Sequence, residues 1–144
     1  MPPAEKSLAF CPVHYLEVHM RTTTGFDQAA KVLGEFRFSE FRIVRELHFY
    51  ETRDDSGQTQ NIDLVVESED RNPNHQLKLT FCGVAGLRLD DFGGGQTRVI
   101  GLDIVDVTEK QWEGIFWEVL DFENNAMEFR AKTAEIVSVS PVTT

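Results

Sequence analysis

The stretch "QLKLTFCGVAGLRLD" (residues 76–90) contains the pattern that decides the fold. Apolar residues alternate with polar ones up to Phe81, which is typical of a strand with one buried face. The same alternation resumes at Leu87, but Val84 lies on the opposite parity, with a glycine on each side of the disturbance. This break predicts a bulge or a sharp bend, with which a long strand passes from one layer of a sandwich or barrel to another.

Further strands are predicted on both sides of this segment, from alternation and from β-branched and aromatic content. They cover residues 11–21, 41–51, 62–68, 97–107, 115–122 and 127–140, of which the last two are expected to form a closing hairpin. The polar stretches 53–61 and 69–75 are expected to be loops. The glycine-rich stretch 90–96 is expected to be a hairpin turn between the bent strand and the next one.

One helix is predicted, over about residues 24–36. Apolar residues recur there at helical spacing in "GFDQAAKVLGEF". Thr24 is in position to cap the N-terminus, with Asp27 three residues later as in a capping box. Gly34 is expected to mark the C-terminal end.

The pattern as a whole predicts a mainly β, β-rich α+β fold: an antiparallel sandwich or partly open barrel with one N-terminal helix. Six to eight strands are separated by short polar turns, and parallel crossovers would need a dozen or more residues each. The length of 144 residues is typical of a single domain, so residues 1–144 are expected to form one domain with a flexible start over 1–9.

Charge and composition exclude several classes of function. The net charge is −10, and residues 101–144 hold nine acidic and only three basic residues. Such a chain lacks the basic face that nucleic-acid binding requires. Neither a secretory signal nor an apolar run long enough to span a membrane is present. Two cysteines, Cys11 and Cys82, are expected to be free thiols of a cytoplasmic protein, and they could pair only if the fold brings them together.

No residue pattern predicts catalysis, a metal site or a cofactor. The histidines are isolated or lie on opposite strand faces, and neither cysteine has the setting of a nucleophile. Carboxylates remain, concentrated in the second half of the chain. They either keep the protein soluble or form a patch for a basic protein partner. The expected patch consists of Asp90, Asp91, Asp103, Asp106, Asp121 and Glu123, with Trp112 as an anchor aromatic.

The chain from Leu77 to Ile136 resembles a layout found in small β-rich bacterial proteins of the toxin-immunity type. The similar segments are "LKLTFCGVAGLRL", "GLDIVDV", "FWEVLDFENNAMEF" and "AEI". This resemblance implies a compact cytoplasmic protein without catalytic residues, whose partner is a toxin. It carries no functional residues over to this chain.

The leading hypothesis is therefore a non-enzymatic immunity protein, whose acidic surface occludes the basic substrate groove of a toxin. A second hypothesis is a β-sandwich or barrel that binds a small ligand, and which could be an enzyme. It requires a deep pocket lined by aromatic residues. A third is a structural subunit of a larger assembly.

Overall fold

A computed structural model describes residues 23–110 and 114–142. The expected flexible start over 1–9, the expected strand over 11–21 and Trp112 lie outside these residues.

The described residues form one α-helix and nine strands. The helix α1 covers Phe26–Leu33. The strands are β1 (Phe41–Asp54), β2 (Gly57–Ser68), β3 (His75–Cys82), β4 (Ala85–Leu89), β5 (Thr97–Arg98), β6 (Leu102–Asp106), β7 (Trp117–Asp121), β8 (Met127–Ala131) and β9 (Thr133–Pro141). Short 3₁₀ turns cover Phe38–Glu40 and Thr108–Lys110.

The strands form two antiparallel sheets without a closed barrel. The first sheet has the order β5-β1-β2-β3-β9, and the second has the order β4-β8-β7-β6. A hydrophobic core lies between them, and the T-shaped contact of Phe81 in β3 with Phe129 in β8 joins the two sheets at a centroid distance of 4.9 Å. The fold is 57% strand, so the prediction of a mainly β protein with one N-terminal helix is confirmed.

The bend predicted at Val84 is confirmed, and it has the expected consequence. β3 belongs to the first sheet and β4 to the second, so the chain changes layer between Cys82 and Ala85. Gly83 has φ 71°, in the left-handed region that favours glycine, and a Cβ there would lie 2.9 Å from the Lys132 side chain. Val84 itself is buried in the core, which explains its parity.

The chain passes between the two sheets at three further points, where the sequence pattern wrongly predicted a continuous strand or a hairpin. The expected strand 97–107 is divided into β5 in the first sheet and β6 in the second, and the expected strand 127–140 is divided at Lys132 into β8 and β9. The stretch 90–96 is not a hairpin turn, because it connects β4 of the second sheet to β5 of the first. The crossing at Lys132 lies beside the Val84 bend, since the Lys132 N–H donates to the Cys82 carbonyl at 2.9 Å.

The helix is shorter than predicted, and Thr24 is not its cap. The N-cap is Gly25, and the backbone of Thr24 instead bridges to β9, where it accepts a hydrogen bond of 2.7 Å from Ile136. A Cβ at Gly25 would lie 2.2 Å from the Ile136 carbonyl oxygen, so only glycine fits there. The prediction that Gly34 ends the helix is confirmed, since its N–H donates to Ala30.

The expected loop over 53–61 is also wrong. β1 and β2 continue through most of it as a long hairpin that reverses between Asp54 and Gly57. The Asp54 carboxylate accepts a hydrogen bond of 2.9 Å from the Ser56 N–H and stabilises this tip. Arg45 interrupts the alternation of β1 because a register shift lies between Val44 and Glu46.

The expectation of free thiols is wrong for Cys82, which is disulfide-bonded. Cys11, the second cysteine of the sequence, lies outside the described residues.

Candidate functional site: the acidic end of the second sheet

Strand ends of the second sheet bring together acidic residues that are far apart in the sequence. β4 ends at Leu89, which pairs with Met127 at the start of β8, and β7 ends where β6 begins, since Asp121 pairs with Leu102. One end of the sheet therefore contains the residues just after β4, those at the start of β6 and those just after β7. We call this the acidic end, and it comprises Asp90, Asp91, Asp103 and Glu123.

Asp121 is next to these residues but has a structural role. It is fully buried, and its Oδ1 accepts a hydrogen bond of 2.8 Å from the Gly101 N–H. The same carboxylate accepts further backbone N–H groups from Glu123 at 3.1 Å and from Asn124 and Ala126 at 3.3 Å each. Asp121 thus stabilises the turn over residues 121–126, which we call the Asp121 turn, and it is not available to a partner.

Asp106 does not join the acidic end. It lies three residues after Asp103 on β6, which corresponds to about 10 Å along a strand. It pairs with Trp117 at the opposite end of the sheet, and its carboxylate accepts hydrogen bonds from Thr108 at 2.9 Å and 2.6 Å.

Asp90 and Asp91 line a cleft of about 470 Å³ on one side of the Asp121 turn. Both side chains are exposed, and Asp91 has φ 63°. The Asp90 N–H donates to the Ala126 carbonyl at 2.9 Å, which fixes the end of β4 against the turn. The cleft is polar, and its other lining residues are Gln96, Arg98, Asn124 and Ala126.

Asp103 and Glu123 line a second cleft, of about 450 Å³, on the other side of the same turn. Phe122 forms part of its wall, and 60% of this side chain is exposed. Its apolar lining residues also include Phe36, Phe38, Leu102 and Ile104. The Asp121 turn therefore separates two clefts, each with two carboxylates of the acidic end.

Each cleft also contains one arginine. Arg98, in the first cleft, donates to Glu69 at 2.5 Å, and this contact holds the pKa of the Glu69 carboxyl below its ordinary value. The charge of Arg98 is thus already compensated by an acidic partner outside the acidic end. Arg37 lines the second cleft and is exposed. Two arginines against four exposed or partly exposed carboxylates leave the acidic end with an excess of negative charge.

The excess of negative charge makes this end attractive to cationic groups. Among the described residues, no group of three or more His, Cys, Asp or Glu side chains could hold a metal ion. Both clefts have volumes within the ordinary range for ligand sites, so each has room for a basic side chain of a partner or for a small ligand.

The sequence pattern does not identify Phe122 as a residue of this end, because it predicts Phe122 as the last residue of a strand. A signal was present: Trp117 and Val119 share the buried parity of β7, and Phe122 lies on the opposite one. Trp117 is buried in the core as its pattern predicts, with 4% exposure.

In the described part of the chain, no helix is long and apolar enough to cross a membrane.

Comparison with known proteins identifies a family. The model of the family described as "Immunity protein PIM8" matches residues 27–137, which includes both sheets up to the first half of β9. No curated protein and no solved structure matches the chain. The match supports an immunity function with a toxin as the partner. Because it covers well over half of the sequence, this chain belongs to the immunity protein PIM8 family.

Proposed function

We propose that this protein neutralises a toxin by binding it, and that the acidic end covers the basic substrate groove of that toxin. The observation that carries the proposal is the gathering of Asp90, Asp91, Asp103 and Glu123 at one end of the second sheet. These four residues come from three separate segments of the chain, and nothing in their sequence spacing alone requires that they meet.

The mechanism is occlusion rather than chemistry. Complementary charges raise the rate of encounter and fix the orientation of the two surfaces, while buried contacts at the centre determine how long the complex lasts. The proposed role needs no catalytic residue, metal or cofactor in this chain. Neither a nucleic acid nor a membrane is proposed as a partner, because the net charge of −10 would repel both phosphate backbones and anionic lipid.

The protein is proposed to act in the cytoplasm, where it would meet a toxin that has entered the cell. The disulfide bond of Cys82 weighs against this location, since such bonds persist mainly in oxidising compartments. Trapping of free thiols by alkylation in intact cells tests the point. Reduced cysteines support the cytoplasm, and fully oxidised protein argues for an exported one.

Binding of a small ligand is the second candidate, and the observation that favours it is the second cleft. Phe36 and Phe38 line it together with the carboxylates of Asp103 and Glu123. Both phenylalanines are more than 90% buried, so they offer a ligand little apolar surface. A fluorescence or calorimetric screen of cationic metabolites that finds a saturable ligand would favour this function over protein binding.

Growth rescue tests the main proposal. Each toxin-like domain that the neighbouring genes are found to encode is expressed in a sensitive host, with and without the chain. Immunity predicts that co-expression restores growth and that the two purified proteins elute together as a stoichiometric complex. Growth arrest that persists at high levels of folded chain would overturn the proposed function.

A further inference from the structure

Phe122 is an exposed apolar residue for which the fold itself gives no reason. Five large apolar side chains are substantially exposed among the described residues, and Phe122 has the largest exposed fraction, 60%. A phenylalanine in a turn between two strands could be replaced by any polar residue without loss of core packing, because its ring is not part of the core.

The backbone that carries this ring is held on both sides. The Phe122 N–H donates to the Gly101 carbonyl at 2.9 Å, and the preceding residue is the buried Asp121 with its four backbone contacts. Gly101 lies directly beneath the turn, since a Cβ there would come within 3.3 Å of the Phe122 Cβ. A side chain presented on a turn fixed in this way loses little backbone freedom on binding, which favours affinity.

The surroundings of Phe122 have the layout of an interface centre. Asp90 and Asp91 border the cleft on one side of the Asp121 turn, and Asp103 and Glu123 border the cleft on the other. An aromatic residue surrounded by charged ones is typical of binding hot spots, where the ring fills a pocket and the charged rim excludes water and selects the partner.

We propose that Phe122 is the anchor of the toxin interface, and that its ring enters an apolar pocket of the toxin whose rim carries lysine and arginine residues. This inference rests on the proposed function and adds the residue and the partner surface. Because the acidic end is negatively charged, the rim of the toxin's pocket is expected to be basic. The negative charge also argues against a second copy of this chain as the occupant, because the four carboxylates would then face each other.

The chain offers a matched control in Phe49, which is 49% exposed. It lies on the β1–β2 hairpin, whose tip is near the opposite end of the second sheet. The N–H of Val84, which directly precedes β4, donates to the Gln60 carbonyl of β2 at 2.9 Å. Phe122→Ala and Phe49→Ala remove the same ring from two exposed positions. Neither change removes a core contact, so both variants are expected to unfold at the wild-type temperature.

The test is isothermal titration of each variant with the purified toxin domain that the growth-rescue experiment identifies. We expect Phe122→Ala to weaken binding by about 100-fold and Phe49→Ala by less than about threefold, as for a hot spot and a non-interface position. Phe122→Leu, which keeps an apolar side chain, is expected to recover part of the affinity.

Tight binding by the wild type with equal affinities for both alanine variants would overturn the inference while the proposed function stands. Absence of binding by the wild type would overturn both. Light scattering tests the alternative that a second copy of this chain binds Phe122. A dimer that dissociates on Phe122→Ala would show that a second copy, and not a toxin, covers the ring.

Discussion

The carboxylate of Asp121 and the backbone N–H of Gly101 are joined by a buried hydrogen bond of 2.8 Å that connects the end of β7 to the start of β6. Three more backbone N–H groups of the Asp121 turn bind the same carboxylate. One side chain therefore fixes the turn that carries Phe122 and Glu123. Asp121 contributes to the acidic end by positioning it, although its own charge is withdrawn from the surface.

Removal of this carboxylate is expected to destabilise the protein strongly. Asp121→Ala leaves buried N–H groups without an acceptor, which is expected to lower the free energy of unfolding by about 3 kcal/mol. Asp121→Asn keeps one acceptor oxygen and is expected to cost about half as much. Urea unfolding measures both. The control is Glu123→Ala, at an exposed position two residues later, with an expected change below about 0.5 kcal/mol. Equal stabilities for Asp121→Ala and Glu123→Ala would contradict the role of Asp121.

A side chain at position 101 is expected to push the Asp121 turn outward. The backbone conformation at Gly101 is open to other residues, but a Cβ there would lie 2.8 Å from the Glu123 Cγ and 3.0 Å from the Glu123 nitrogen. Gly101→Ala is therefore expected to cost about 1–3 kcal/mol of overpacking.

Glu123→Ala removes the closer of these two contacts and leaves the backbone one. In a double-mutant cycle followed by urea unfolding, Gly101→Ala is expected to be less destabilising in the Glu123→Ala background than in the wild type. If Gly101→Ala lowers the free energy of unfolding equally in both backgrounds, the side chains at positions 101 and 123 do not clash.

Tyr50 is expected to ionise at unusually high pH. Burial, the negative charge of Asp63 and the hydrogen bond of 3.2 Å that the phenol donates to Asp63 raise the pKa of Tyr50 from 10.0 to about 12. The unfolded chain thus loses this proton first, so the free energy of unfolding is expected to fall as the pH rises from 10.0 towards 12.

Ultraviolet titration measures the phenol directly. Asp63→Asn removes the charge but not the burial, so the pKa of Tyr50 is expected to move down and to stay above 10.0. Tyr50→Phe identifies the signal, because the sequence has only one other tyrosine. A titration curve that Asp63→Asn leaves unchanged would refute the contact.

The disulfide bond of Cys82 predicts a definite thiol count. Protein purified without reductant and then denatured is expected to react with no thiol reagent, whereas Cys82→Ser is expected to release one thiol per chain. Reduction is expected to lower the free energy of unfolding by about 2–4 kcal/mol. Two reactive thiols in the oxidised wild type would contradict the bond.

The sequence predicted the layered β fold because its periodicity records which strand faces are buried. The bend at Val84 was visible, since a glycine on each side and a parity break mark a change of layer. The crossing at Lys132 was not visible, because the buried residues Phe129, Ala131 and Thr133 continue the same alternation across it. The apolar parity of residues 97–107 shifts after Ile104, whereas the crossing lies before Leu102, so the periodicity did not locate it.

The acidic end could be predicted only in part. Composition identified the acidic residues, but which of them meet depends on strand pairing. Asp121 and Glu123 look alike in the sequence, and only the structure shows that one is buried under four N–H groups and the other is exposed. Asp106 follows Asp103 by three residues and still lies at the other end of the sheet.

Binding of the toxin by the acidic end is measured by the inhibition of the purified toxin by two charge variants. The first variant neutralises the acidic end, with Asp90→Asn, Asp91→Asn, Asp103→Asn and Glu123→Gln. Asparagine tolerates the positive φ of position 91. The second variant neutralises four exposed acids elsewhere, with Glu46→Gln, Glu51→Gln, Asp55→Asn and Glu135→Gln. Each loses four negative charges from the net charge of −10, so their overall charge is equal.

The measured quantity is the concentration of each variant that halves the activity of the toxin at a fixed ionic strength. Recognition of the toxin by the acidic end predicts that this concentration rises about 100-fold for the acidic-end variant and stays within about threefold of the wild-type value for the second variant. Equal inhibition by the two variants would contradict it, because the toxin would then recognise either total charge or another face of the protein.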